Sequence, residues 1–200
     1  MNKELISELE KFFFDARDGE ELAASNVAGV IGVLIDLKSA MAGDFKIEEY
    51  KKIDVKKLRA LLGSLGLVII FAPRGDDILF YISRDEATAR ELSLQFETVW
   101  NNMSGEGIAD KNAWSNATMR IGELLGYPKT AVIDFVALDE GAIGGEERIA
   151  RMCRNRYYSH SAEHEEEEYA AYDRILNQAI EDNAPKTAAV FKSKQGKRWL

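Results

Sequence analysis

Apolar residues recur every three or four positions over most of this chain, with one short interval in which the pattern changes. Leu5, Leu9, Phe12 and Phe13 form one stripe of an amphipathic helix that ends near Gly19. From Glu20 to about Ala42 the residues are apolar nearly all round, which predicts a central buried helix. Ala24, Ala28 and Gly32 stand four apart on it, a spacing that lets another helix backbone come close. Charges dominate from Phe45 to Lys57, which reads as a polar connection, and Asp54 can cap a short helix through Leu58, Leu61 and Leu62 that stops at Gly63 or Gly66.

The helical period then breaks. Leu67-Val-Ile-Ile-Phe-Ala72 and Ile78-Leu-Phe-Tyr-Ile82 are apolar, β-rich runs on either side of Pro73-Arg-Gly-Asp-Asp77, and this predicts a β-hairpin near residues 67–82. The uniformly apolar first strand calls for burial on both faces. A lone hairpin is marginal in water, so it must lie against helices, join further short strands or pair across a dimer. Ser83 stands three residues before Glu86 in capping-box spacing, ahead of a helix with its stripe at Ala89, Leu92, Phe96, Val99 and Met103. Asn112 opens the next predicted helix, which carries Trp114, Met119, Ile121 and Leu125. Gly126 permits a left-handed stop there, and Pro128 begins a further helix through Val132, Phe135 and Leu138.

The pattern therefore predicts an α+β fold, predominantly helical, with one inserted hairpin. Asp139-Glu-Gly-Ala-Ile-Gly-Gly-Glu-Glu147 reads as a linker, because it combines glycines with acids. It divides a helical domain at 1–139 from a polar helical C-terminal subdomain at 146–200. The latter holds a glutamate-rich helix from about Ser161 to Asp182 and a basic tail from Pro185, with Lys186, Lys192, Lys194, Lys197 and Arg198.

Charge and cysteine content narrow the classes. The net charge of -8 repels phosphate backbones and anionic lipid unless basic residues are locally concentrated. The single cysteine, Cys153, forms no internal disulfide, and the first residues lack the apolar core of a signal peptide, so a reducing, cytoplasmic compartment is expected. The longest uncharged run, Leu22 to Ile35, is shorter than the roughly 18 apolar residues of a membrane span, so no membrane partner is expected.

Two local constellations bear on chemistry. His160-Ser-Ala-Glu163-His164 brings both histidines of the chain four apart with a glutamate just before the second. On a helix this spacing turns both imidazoles to one side. The string resembles the H-x-x-E-H metal site of the inverzincin peptidases. That resemblance implies Zn²⁺ held by His160 and His164, with Glu163 as general base on metal-bound water and a further glutamate ligand well downstream. In this chain the position of Glu167 and Glu168, one turn on, makes either the nearest carboxylate for a third ligand. The competing reading is a helix N-terminus capped by Ser161, in which Glu163 and Glu165 to Glu168 are favoured by the helix dipole. With five glutamates in six positions a Glu between the histidines is unsurprising, and this second reading is preferred. Glu165 and Glu168 align with the apolar face of Tyr169, Tyr172, Leu176 and Ile180 and are expected to be less exposed than their neighbours.

Arg148, Arg151, Arg154 and Arg156, followed by Tyr157 and Tyr158, form a cationic and aromatic patch of the kind that holds phosphates and stacks bases. The glutamates that follow are its simplest partners, so nucleic acid is disfavoured. Cys153, in a helical row with Ile149 and Met152, reads as a small core residue. Finally, the fifteen-residue segment Ile121-Gly-Glu-Leu-Leu125-Gly126-Tyr127-Pro128-Lys-Thr130-Ala131-Val132-Ile-Asp-Phe135 resembles the Leu-Gly-Tyr-Pro-x-Cys-Cys-Val-x-x-Phe string of an uncharacterised, largely archaeal protein family. Thr130 and Ala131 replace that family's cysteine pair. What carries over is the helix stop at Gly126 and the restart at Pro128.

No complete catalytic set can be assembled from these pieces. The expected function is that of a cytoplasmic, non-enzymatic interaction or regulatory protein without a cofactor, whose partner is another protein or a second copy. The alternatives are a zinc-dependent hydrolase built on the H-x-x-E-H string and an RNA-binding accessory protein that uses the arginine patch.

Overall fold

A computed structural model describes residues 1–104, 107–139, 152–154, 159–161 and 164–193. Two helices open the chain, α1 (Lys3–Ala16) and α2 (Glu20–Leu34), followed by strand β1 (Ala40–Lys46), the single turn α3 (Ile47–Tyr50) and α4 (Val55–Ser64). Strands β2 (Val68–Arg74) and β3 (Asp77–Ser83) form the expected hairpin. Then come α5 (Glu86–Asn102), the short pair β4 (Met103–Ser104) and β5 (Gly107–Ile108), α6 (Lys111–Leu124) and α7 (Lys129–Asp139). A second short pair, β6 (Met152–Arg154) and β7 (Ser159–Ser161), precedes α8 (Glu165–Glu168), a π-helical turn at Tyr169–Asp173, α9 (Arg174–Asn183) and α10 (Pro185–Ser193). The fold is α+β and predominantly helical.

The hairpin does not stand alone. β1 pairs antiparallel with β3 from Ala40↔Ser83 to Lys46↔Asp77, and β2 pairs with β3 from Val68↔Ser83 to Arg74↔Asp77, giving the order β1-β3-β2. The helix expected to run to about Ala42 therefore ends at Leu34, and the connection expected from Phe45 begins inside a strand. Asp36, with φ 58, makes the stop: its amide reaches the Val33 carbonyl and that of Leu37 reaches Gly32. Gly75 supplies the positive φ, 56, needed at the first central position of the two-residue β2–β3 turn.

Helices cover both faces of the sheet, which explains why its strands are apolar without alternation. Met41, Phe45, Ile69, Phe80 and Ile82 face α1, α2 and α4, where the Phe45 and Phe80 rings meet tilted with centroids 4.9 Å apart and Phe13 stacks on both at 6.1–6.3 Å. Ala40, Ala42, Ile70, Leu79 and Tyr81 face α5 and α6. Leu176, Ile180, Ala188, Val190 and Phe191 of the C-terminal residues join the first of these cores. The expected basic tail is thus helical as far as Ser193, and the Glu10 carboxylate of α1 accepts the Thr187 amide at 2.6 Å in the first turn of α10. A carboxylate is favoured at that positive helix end.

Three helix starts refine the sequence reading. Asp54 caps α4 as expected, accepting from the Lys57 amide at 2.9 Å. α5 is capped by Asp85 rather than Ser83: Asp85 Oδ1 accepts the Thr88 amide at 2.8 Å, while Ser83, fully buried at the end of β3, donates to the Asp85 carbonyl. α6 starts at Asp110, which accepts from Ala113, and not at Asn112. Asp85→Ala should therefore cost about 0.5–2 kcal/mol in urea denaturation with cooperativity retained; an unchanged midpoint would return the cap to Ser83.

Candidate functional site

The histidine string does not lie on one helix. His160 is in β7, opposite Cys153 of β6, and the helix opens only at Glu165, with His164 in the turn before it. The i, i+4 geometry that would turn both imidazoles to one side, and the cap expected from Ser161, are therefore absent. Glu163 lies outside the described residues, as does the side chain of His160. His164 Nδ1 stands 3.6 Å from the Glu167 carboxylate, whereas Glu168 is buried and accepts a hydrogen bond from the Thr130 hydroxyl of α7. Glu168 thus turns away from His164 and into the protein, as its place on the apolar face implied. Among the described residues no group of three or more His, Cys, Asp or Glu side chains is placed to hold a metal ion.

Of the arginine patch, Arg148, Arg151, Arg156, Tyr157 and Tyr158 lie outside the described residues. Arg154 and Cys153 belong to β6, so the helical row expected through Ile149, Met152 and Cys153 is a strand at Met152–Arg154. No described helix is long and apolar enough to cross a membrane.

The Leu-Gly-Tyr-Pro segment builds a junction. Gly126 takes φ 70, with its amide on the Glu123 carbonyl and that of Tyr127 on Gly122, and the Pro128 carbonyl accepts the first bond of α7 from Val132. The turn lies directly on the Leu37–Lys38 backbone, and the Ser39 amide donates to Leu124 across it at 3.0 Å. At Gly32 the close approach is made by the Lys38 stem and not by another helix. The Lys38 ammonium lies 5.8 Å from the Tyr172 ring centroid, and burial lowers its pKa to about 8. Burial also pushes the Tyr127 phenol up to about 12.

A lysine charged in water but disfavoured when folded lowers stability below pH 8, and this penalty is relieved as pH rises towards the unfolded value of 10.5. Lys38→Met should accordingly stabilise the protein at pH 7 by about 1–3 kcal/mol. Melting curves taken from pH 7 to 10.5 should show the gain shrinking; a destabilised variant at pH 7 would mean that the ring contact outweighs desolvation.

The two edges of the main sheet differ. On β1 the register turns the Asp44 carbonyl and the Lys46 amide outward, and both are occupied: Arg17 donates to the former, and Glu49 Oε2 accepts the latter at 2.9 Å. On β2, Arg74 and Asp77 flank the two-residue turn and exchange hydrogen bonds, so that Ile70 and Val68 face β3 in step while the amides and carbonyls of Ile69 and Phe71 point outward. Nothing among the described residues reaches them. A groove of about 700 Å³ runs along this edge, walled by Arg59 and Gly63 of α4 and by Arg90, Ser93 and Glu97 of α5. Arg59 lies over the Phe71 ring at 5.6 Å, and Tyr50 meets the same ring edge-on. Pro73, which has no amide to offer, stands at the far end, where a proline is compatible with an edge.

The sequence reading missed this edge because the missing strand, β1, decides which side of the hairpin stays open. Its signal was present in the unbroken run from Leu67 to Ala72 and in Pro73, which marks β2 as an outer strand. The chain matches no family model, no curated protein and no solved structure.

Proposed function

We propose that this chain is a non-enzymatic interaction protein that associates by strand addition at β2, and that the occupant of the edge is a second copy of the same strand. The observation that supports this reading is the pair of outward amides and carbonyls at Ile69 and Phe71 beside an open groove, on a sheet whose opposite edge is engaged at the Asp44 carbonyl and the Lys46 amide.

Antiparallel pairing about a two-fold axis at Ile70 sets Ile69 opposite Phe71 of the other copy and uses all four groups, with Pro73 left out of the ladder. An unpaired edge is a template for such pairing, and a continuous six-stranded sheet would result. The single cysteine supports a reducing, cytoplasmic setting.

Sedimentation velocity over a concentration series tests the reading. The wild type should show a concentration-dependent monomer–dimer equilibrium. Phe71→Pro, which removes an outward amide without taking one from the β2–β3 ladder, should sediment as monomer. Phe71→Ala keeps the amide and should remain dimeric. A wild type that is monomeric throughout, or a Phe71→Pro variant as dimeric as the wild type, would overturn it.

A further inference from the structure

The faces of α5, α6 and α7 that turn towards one another enclose a second space, separate from the β2 groove. It has a volume of about 440 Å³, within the roughly 300–1,000 Å³ of sites that hold small molecules. Its described walls are apolar and carry no charged side chain: Phe96 and Val99 come from α5, Ile121 from α6, and Val132 and Phe135 from α7. Met103, 59 % exposed, stands at its rim.

Three side chains with polar groups, Tyr127, Trp114 and Thr118, interrupt this lining, and two of them are unpartnered. Trp114 is buried, 3 % exposed, and its indole Nε1–H has no hydrogen-bond partner. Thr118, one turn further along α6 and on the same face, has a buried hydroxyl that is likewise unpartnered. An indole nitrogen only donates, and a buried donor left without an acceptor is costly, which is why buried tryptophans ordinarily find one. Here two neighbouring groups able to donate lie unsatisfied on residues that line the cavity.

From these residues we infer that the cavity is a binding site for an uncharged, largely apolar small molecule that presents an acceptor oxygen, such as a ketone or ester carbonyl, to Trp114 and Thr118. The absence of charge from the described walls selects against a carboxylate, because an ion brought into this lining would lose its hydration without gaining a counter-charge. A hydrocarbon fills the volume but leaves both donors unmet. This site does not depend on the β2 edge: its walls use a different face of α5, and a Phe71→Pro monomer should retain it.

Prodan, a neutral naphthyl ketone whose emission reports a dry environment, provides the assay on the full-length chain. It should bind saturably at one site and be displaced best by decanone, less by decane and least by decanoate. Thr118→Val keeps the shape of the side chain and removes the hydroxyl. It should weaken decanone by roughly 2- to 10-fold while leaving decane unchanged. Trp114→Phe should do the same for the indole donor, and if that variant fails to fold, Thr118→Val still decides. Non-saturable prodan uptake, displacement led by decanoate, a Thr118→Val variant that weakens decane and decanone equally, or one that weakens neither, would each overturn the site.

Discussion

Glu49→Leu is expected to lose about 3–5 kcal/mol of stability, because it strips the closer and more buried of two carboxylate partners from a buried cation, leaving only Asp44 Oδ2 at 4.0 Å. Arg17 follows the end of α1 with its side chain 1 % exposed, donates to the Asp44 carbonyl and to Glu49 Oε2 at 3.2 Å, and lies 5.2 Å from the Phe45 ring centroid. Glu49 in turn accepts the amides of Asp18 and Lys46, both at 2.9 Å. Burial by itself would raise the Glu49 carboxyl, but those two amides and the guanidinium outweigh it and hold the group below its ordinary value. Its contribution is therefore complete above the unfolded value of 4.5 and disappears as pH falls through the lower folded value. Leucine leaves the guanidinium buried beside two orphaned amides. The double variant Arg17→Met/Glu49→Leu should recover a substantial part of the loss, since neither buried charge then remains and the Asp44 carboxylate is 43 % exposed to water. Urea denaturation at pH 7 measures both; a single-variant loss under about 1 kcal/mol would show that water reaches the pair.

Gly126→Ala should be nearly as damaging as Gly126→Val. On conformation alone, alanine at φ 70 costs about 1–2 kcal/mol and a β-branched residue more. The Cβ, however, would stand 2.1 Å from the Leu37 carbonyl oxygen and 2.8 Å from Lys38 Cα, and both are backbone atoms that cannot swing aside. The two turns must separate, which adds an overpacking cost of about 1–3 kcal/mol and breaks the Ser39–Leu124 bond. A total of about 2–5 kcal/mol for alanine, read from thermal or urea melts, is the expected result. An alanine variant within 1 kcal/mol of the wild type, with valine far worse, would mean that backbone conformation alone requires the glycine.

Much of this frame was legible in the sequence, and the failures have physical causes. The Leu67 to Ile82 hairpin, the buried α2, the Asp54 cap and the Gly126 stop all rest on local chemistry, so the residues themselves announce them. β1 rests on tertiary demand: Ala40-Met-Ala-Gly-Asp-Phe-Lys46 has no β-branched residue, and it becomes a strand because β3 has a second edge to fill and Asp36 ends α2 early. Ser83 and Asp85 were both competent caps, and burial of Ser83 decided between them. The tail from Pro185 was read from its lysines, although Val190 and Phe191 carried the signal that it packs. The H-x-x-E-H string failed as a helical motif because five residues do not fix their own secondary structure, and His160 pairs in a strand. Trp114 and Thr118 were visible at helical spacing, but only packing shows that both line a cavity with their polar atoms buried and unpartnered.

Amide hydrogen exchange at Ile69 and Phe71, followed as the protein is diluted, tests the strand-addition reading most directly. At high concentration both amides should be protected by pairing with the second copy, and on dilution both should become fast while Ile70, bonded to β3, stays slow. Fast exchange at Ile69 and Phe71 at every concentration, or protection that dilution leaves unchanged, would contradict the account.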